Sequence, residues 1–544
     1  MPSWRLVLAT LREHWIGMLT WIVGGAAAML FMGLALNQEM ADFPGGAQAL
    51  AASVTPAAEA MRILRWPAEH LETLGGYLTF HNVMLFSGFL ALYAALQGAR
   101  LIRAPEERHT LEQVLATGWS RGAYLRDRVL ALILVLILIS VGLALGTAWA
   151  LALANSPDLS GSLITFASVG LGALVALSLG LLISQVTRSA RSAGGVVAAV
   201  LVVMYLVNNA LDTEDSLGWL ALLTPFHWVN QSRALVPGYG LDIRAIAVLT
   251  GTALLLTGLA AVAFRRRDYG AALWNRRPLV VHQTGTNSRV QHWWLRTTWL
   301  ASIREHRIAL VSWSAGSAGF AALMMALQPA AMEVFQQFSY YLEMAGGDGI
   351  SPEAMYITFA TDVLAPIVSA YVITQAAGWI AEFQQSRIEL ILSAPVSSTR
   401  LNLERLLAVT IGVVLVLLAS LLTITVGSIL IGGETSITGI GRVAAVSVLL
   451  ALAVTAVALL LVTVLRSMLA VTLLAAYLAA AYLLTWMIPM FGWPKWTERL
   501  SIFVAFGHPY REWPDVAGLV LLAAITLVAT MSSILVARRI PKVP

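Results

Sequence analysis

The sequence predicts an all-α polytopic membrane protein: about twelve transmembrane helices arranged as two parallel six-helix repeats. Three observations predict it. The chain is 58% hydrophobic and only 12% charged, whereas a soluble globule carries roughly 25% charged residues. Apolar runs of about 20 residues, the length that crosses hydrocarbon, recur about twelve times. The polar residues between these runs repeat: Arg12-Glu13-His14 precedes the first run, and Arg304-Glu305-His306 precedes the seventh. Lipid offers no partner to open backbone groups, so the runs must be helices. The alternating pattern of a membrane barrel is absent.

The first half covers 1–270. It opens with a short amphipathic piece, 3–14, where Trp4, Leu8 and Leu11 suit a helix lying in the membrane interface. Six spans follow, near 16–36, 78–100, 129–153, 162–186, 193–211 and 243–264. A basic linker, 271–290, leads to the second half, 291–544. That half opens with its own amphipathic piece, 295–307. Its spans lie near 307–327, 358–380, 408–431, 442–465, 467–490 and 516–537. Six is even, so both halves enter the membrane with one orientation and the repeat is parallel. The segments Thr224-Pro225-Phe226-His227-Trp228 and Phe506-Gly507-His508-Pro509-Tyr510 echo each other before the sixth and twelfth spans. They read either as short re-entrant or interfacial helices or as an aromatic belt at the membrane edge.

With the N-terminus inside, loops on that side hold 26 basic residues and the other side holds 8. Excess positive charge marks the cytoplasmic face, so both termini are expected in the cytoplasm of a bacterium, with the chain in its plasma membrane. The net charge of +5 sits at loop positions that membrane topology accounts for, and nucleic acid is not an expected partner. The absence of cysteine excludes disulfides, thiolate metal sites and thiol nucleophiles.

The most specific pattern lies between the second and third spans of each half, at 104–122 and 382–400. Leu111, Val114 and Leu115 fall at i, i+3, i+4, as do Ile388, Ile391 and Leu392, giving each segment one apolar face of a short helix. Glutamates flank both: Glu106, Glu107 and Glu112 in one, Glu382 and Glu389 in the other. A helix-stopping turn follows, Thr117-Gly118-Trp119-Ser120 or Ala394-Pro395-Val396-Ser397. Then come a basic residue, Arg121 or Arg400, and an acidic-basic pair, Asp127-Arg128 or Glu404-Arg405, entering the next span. A solvated loop would explain one copy. Two ungapped copies favour a surface used twice.

This pattern resembles the permeases of the ABC-2 exporter class, in which a Glu-bearing amphipathic segment and a Leu-x-x-Pro-Val-Ser turn form a coupling helix. Leu392 to Ser397 matches that turn, while Val114 to Ser120 departs from it with Gly118-Trp119 in place of Pro-Val. Fused architecture and length are similar to the polyketide-antibiotic exporters of the tetronasin type. The resemblance implies a permease that extrudes hydrophobic or amphipathic compounds such as antibiotics, driven by an ABC ATPase. That ATPase must be a separate chain, because neither Lys495 nor Lys542 stands in the Gly-Lys-Ser/Thr setting that cradles phosphate. Two copies, carrying ATP and magnesium, would complete the transporter. The permease is then no enzyme by itself, with no catalytic residue, cofactor or metal of its own.

By the same resemblance, the residues facing the ATPase are Glu106, Glu107, Leu111, Glu112, Leu115 and Arg121, and Glu382, Ile388, Glu389, Leu392, Pro395 and Arg400. Arg12, Glu13, Arg304 and Glu305 belong to the interfacial helices. A substrate cavity would draw on the first, second and fifth spans, with Phe31, Phe80, Phe86, Phe89, Tyr93, Phe359, Tyr371 and Tyr482 as aromatic candidates. For each of these a lipid-facing or helix-packing role stands as the alternative.

Other motifs carry less. Gly118-Trp119-Ser120-Arg121-Gly122 fits the nucleophile pattern G-x-S-x-G but lies between two spans, not between a strand and a helix. Gly439-Ile440-Gly441 lacks the preceding strand of a dinucleotide site. Gly142 and Gly146 form a GxxxG pair that reads as close helix packing. Asp362 and Glu382 are the few acidic groups near the spans, and carriers coupled to ions usually keep buried ionisable relays. An ion-coupled carrier of the major-facilitator type is therefore the rival reading, and a lipid exporter of the same ABC fold is a third.

Overall fold

The computed structural model describes residues 4–60, 66–211, 218–270, 298–305, 307–337, 351–384, 397–433, 435–490 and 493–538. Among them there is no strand. The chain divides into two compact units, Met1–Gln283 and Thr284–Pro544. Among the described residues, twelve helices are long and apolar enough to cross a membrane, six in each unit.

In the first unit the opening helix α1 (Trp4–Leu19) does not stop before the first span. It passes through a π-helical turn, Thr20–Gly24, straight into α2 (Gly25–Asp42). The separate interfacial piece expected at 3–14 is thus one end of a 39-residue helix. No residue that breaks helices stands between Arg12 and Ile16, so nothing in the chain ends it there. At 1.5 Å per residue such a rod is about 58 Å long, against roughly 30 Å of hydrocarbon. After α3 (Gly46–Ala60), α4 (Leu74–Leu78) runs through a second π-helical turn, Thr79–Val83, into α5 (Met84–Glu107). Then come the short α6 (Thr110–Ala116), α7 (Arg121–Leu153), α8 (Leu159–Val186), α9 (Ala190–Leu211), α10 (Pro225–Gln231) and α11 (Ile243–Arg266).

Small residues set the packing. The most extensive pairing is α5 against α8. A Cβ added to Gly98 would stand 2.0 Å from the Leu177 carbonyl oxygen, so the two backbones touch there. The GxxxG pair serves α2 against α7, where a Cβ on Gly146 would meet the Ala26 carbonyl oxygen at 2.3 Å. Gly146→Leu is therefore expected to force these helices apart. A loss of about 1–3 kcal/mol follows from overpacking, read as a lower unfolding midpoint in detergent. An unchanged midpoint would show that the contact is loose.

The second unit holds α12 (Thr298–Glu305), α13 (Arg307–Gln337), α14 (Pro352–Asp362), α15 (Leu364–Gln384), α16 (Ser398–Leu430), α17 (Ile437–Leu465), α18 (Met468–Met490), α19 (Ile502–Phe506) and α20 (Val516–Arg538). Its core gathers around α17, which packs against α15, α16, α18 and α20. Of the two echoing segments, Thr224 caps α10, which takes in Pro225 to Trp228, whereas Phe506 ends α19 and Gly507 to Tyr510 leave the helix.

The repeat survives in three dimensions. Helices α7 and α16 are both 33 residues long, start 277 positions apart and begin at serine N-caps, Ser120 and Ser397. Trp21 packs on Tyr93 with centroids 5.7 Å apart, and Trp313 packs on Tyr371 at 6.2 Å. In the register set by Arg12-Glu13-His14, buried Met29 and Gly33 correspond to buried Ala321 and Met325. Gly33 lies against Ala150. Met325 lies against Gly427, the counterpart of Ala150, so the small residue has changed sides while the contact persists.

Candidate functional site

The repeated segment of the first unit folds as expected in outline. After α5 the chain turns through His109, whose φ of 56° is left-handed, into α6. It turns again at Gly118, with φ of 92°, and enters α7 at Ser120, whose hydroxyl accepts from the Ala123 amide at 3.2 Å. Leu111 is buried, Val114 and Leu115 are half-buried at its side, and Glu112 is exposed. The apolar stripe thus seats α6 on its unit and leaves one carboxylate at the surface.

The flanking glutamates face inward. Glu106 is 5% exposed and accepts from Arg103 Nη1 at 3.1 Å and Arg267 Nη2 at 2.5 Å. Arg103 also donates from Nε to the Ser184 carbonyl at 2.6 Å and from Nη2 to that of Gln185 at 3.4 Å. Both carbonyls lie in the last turn of α8, where the helix dipole favours a cation. Arg267 Nε donates to Gln185 Oε1 at 2.7 Å, and the Tyr269 hydroxyl donates to the Glu106 carbonyl at 3.2 Å. One carboxylate and two guanidiniums leave a surplus positive charge, and the α8 terminus offsets it. Burial, with Glu112 and Glu106 nearby, raises the Tyr269 hydroxyl above the usual tyrosine range. Glu107 Oε1 accepts from the Ala190 amide at 2.7 Å, placing a negative charge at the start of α9. Arg121 caps the C-terminal end of α11, donating to the Arg267 carbonyl at 2.7 Å.

The acidic-basic pair below the third span of each half has a second use. In the first unit Arg128 donates to Glu13 on α1 and, at 2.8 Å, to the Tyr124 hydroxyl. In the second unit Glu404 accepts from the Trp299 amide in the first turn of α12 at 3.1 Å, and from Arg400 at 2.6 Å. Arg405 donates to Glu382 and lies 5.6 Å from the Trp379 ring centroid. Each unit therefore ties its opening helix to the start of its third span, α7 or α16, through the arginine in one and the glutamate in the other. Arg12 is exposed. The Glu305 side chain and residues Ile388, Glu389, Leu392 and Pro395 lie outside the described residues.

Within each unit the aromatic candidates take different places. Phe80 and Tyr371 are core, Phe86 and Tyr93 flank Trp21, and Tyr482 meets Phe503 edge-on at 5.6 Å. Phe31, Phe89 and Phe359 are exposed. Asp362 accepts from His508 Nδ1 at 2.6 Å, and this bond raises the His508 imidazole above its ordinary value. Arg103, Gln185 and Arg267 are not among the residues that the sequence pattern points to. The only local signal for them is Arg103 three residues before Glu106, one helical turn away.

Residues 10–269 match the family model described as ABC-2 family transporter protein. Residues 295–538 match that of the C-terminal domain of multidrug efflux system permease Rv1217c. No curated protein matches the chain closely.

Proposed function

The chain belongs to the ABC-2 family of transporter permeases, in two-half form, and from that premise we propose that it exports hydrophobic or amphipathic compounds, drugs among them, on the power of a separate ATPase. The observation that carries this is the segment around α6, seated by Leu111 and Glu106 while Glu112 stands exposed. A helix anchored on one face and charged on the other can transmit a push from a partner into α5 and α7. The second half repeats the segment in sequence, and its Glu382-Arg405 and Glu404-Trp299 bonds brace the same place. The residues meeting the ATPase are then Glu112, Leu115, Glu389, Ile388, Leu392 and Pro395, with Glu106, Glu107, Arg121 and Arg400 holding the segments in position. ATP and magnesium belong to the partner, two copies of which engage the two segments. Both termini and both segments lie in the cytoplasm of a bacterium. A substrate is moved through its unequal contacts with two states of the permease.

The test is co-purification with a candidate ABC ATPase subunit, followed by transport in vesicles. Export of a fluorescent amphipathic drug should require ATP and should persist when proton and sodium gradients are collapsed. Transport that follows an ion gradient without any ATPase would overturn the reading.

A further inference from the structure

Four arginines of the first unit stand exposed with nothing to balance them. Arg100 lies on α5 and Arg108 just past its end. Arg188 lies in the turn between α8 and α9, and Arg191 in the first turn of α9. All four are exposed. Among the described residues, none of them has a carboxylate or hydrogen-bond partner. The charges of Arg100 and Arg108 are close enough to repel each other. The carboxylate beside them, Glu107, is already bonded to the Ala190 amide.

Helix packing brings these residues to one seam. The Glu107–Ala190 bond joins the end of α5 to the start of α9, and the two helices pack side by side. A Cβ on Gly194 would stand 3.1 Å from Leu96 Cδ2. One turn nearer α6, at i+4 on α5 and i−3 on α9, come Arg100 and Arg191. In the other direction both helices continue the line at spacings of four and seven with apolar or open surface. On α5 these are Leu96 and Phe89, and on α9 Gly195 and Val202. Phe89 and Val202 are each 58% exposed, and a Cβ on Gly195 would meet nothing within 4 Å. Arg100 ends the apolar run 78–100 and Arg191 just precedes the run 193–211. Both therefore stand at the level of the headgroups, where a long basic side chain keeps its charge in the polar layer.

The second half does not repeat the patch. In the register of Leu111 and Ile388, Ala377 stands for Arg100 and Gln385 for Arg108. In the register of Arg188 and Arg466, Leu469 stands for Arg191. Both halves share one orientation, so insertion by itself does not account for a patch on one of them.

We propose that the α5–α9 seam binds an anionic phospholipid, its phosphate held by Arg100 and Arg191 and its acyl chains lying along Phe89 and Val202. Arg108 and Arg188 add positive charge around the headgroup. A guanidinium fits a phosphate with two parallel N–H bonds, and these arginines are open to the headgroup layer without any rearrangement. A soluble partner does not reach Arg100 at the edge of the span, whereas a lipid is already there. The use of the site rests on the exporter reading. Arg108 stands between α5 and α6, so neutralising the patch steadies the segment that the ATPase pushes.

The experiment reconstitutes the whole permease with its ATPase in phosphatidylcholine vesicles. These carry a trace of photoactivatable phosphatidylglycerol or of photoactivatable phosphatidylcholine with the same acyl chains. Phosphatidylglycerol should label 85–108 and 188–203 about ten-fold more strongly than phosphatidylcholine, as expected for arginines at a membrane surface. It should show no such preference at 362–384 and 466–481. Arg100→Ala with Arg191→Leu, the residues of the second half at these places, should bring the two lipids within about two-fold of each other. Arg100→Lys with Arg191→Lys keeps both charges and should keep most of the preference. Equal labelling by the two lipids in the unaltered chain, equal loss in both double variants, or displacement by millimolar inorganic phosphate would overturn the site. ATP-driven export in the same vesicles should rise with added phosphatidylglycerol in the unaltered chain and not in Arg100→Ala with Arg191→Leu. Export indifferent to phosphatidylglycerol would overturn the role at α6. Preferential labelling without any export removes the exporter reading and keeps the lipid; export without preferential labelling does the reverse.

Discussion

Glu106→Ala is expected to destabilise the first unit by about 3–5 kcal/mol, the cost of breaking a buried ion pair by removing one partner. Arg103 and Arg267 would stay buried and lose the carboxylate that both bind. The inner ends of α5, α8 and the chain after α11 would separate, and protease would cut near α6. Denaturant unfolding in detergent reads the loss. Glu112→Ala is the control: its side chain is exposed, so a change within about 0.5 kcal/mol is expected. If both variants unfold at one midpoint, the buried cluster does not hold this unit together.

Charge reversal on the repeated segments is expected to have the largest effect on transport. Glu389→Arg and Pro395→Asp should lower ATP-driven export on the order of 100-fold, because misplaced charge at an interface costs several kcal/mol. ATP hydrolysis by the partner should continue, uncoupled. Glu112→Arg should act in the same direction but less strongly, since Gly118-Trp119 stands where the second copy has Pro-Val. Unfolding midpoints should match the unaltered chain in all three. Normal export by Glu389→Arg would mean that the segment does not carry the drive.

Much of the fold is legible in the order of the residues. Hydrocarbon admits only segments whose backbone bonds close internally, so composition alone requires helices and their approximate number. The repeat is legible because its polar residues recur in order, and the serine caps because Ser120 and Ser397 precede helices that start in step. Less legible are the ends of helices. Arg12 to Ile16 holds nothing that stops a helix, so α1 runs on into the first span where amphipathic patterning suggests a separate piece.

The membrane, the apolar runs and the duplicated segment follow from the chain alone, because each depends on residues close together in it. Where each polar group looks is settled only by folding. Glu106 and Glu112 are alike in sequence and sit on neighbouring helices. One is buried against Arg267, 161 residues away, and the other faces out. Leu36 and Gln328 occupy one position of the repeat, yet only folding shows that Gln328 and Ser428 both come to lie near Gly433. Periodicity marks a face of a helix; the neighbour that meets it is set by packing between segments far apart in the chain.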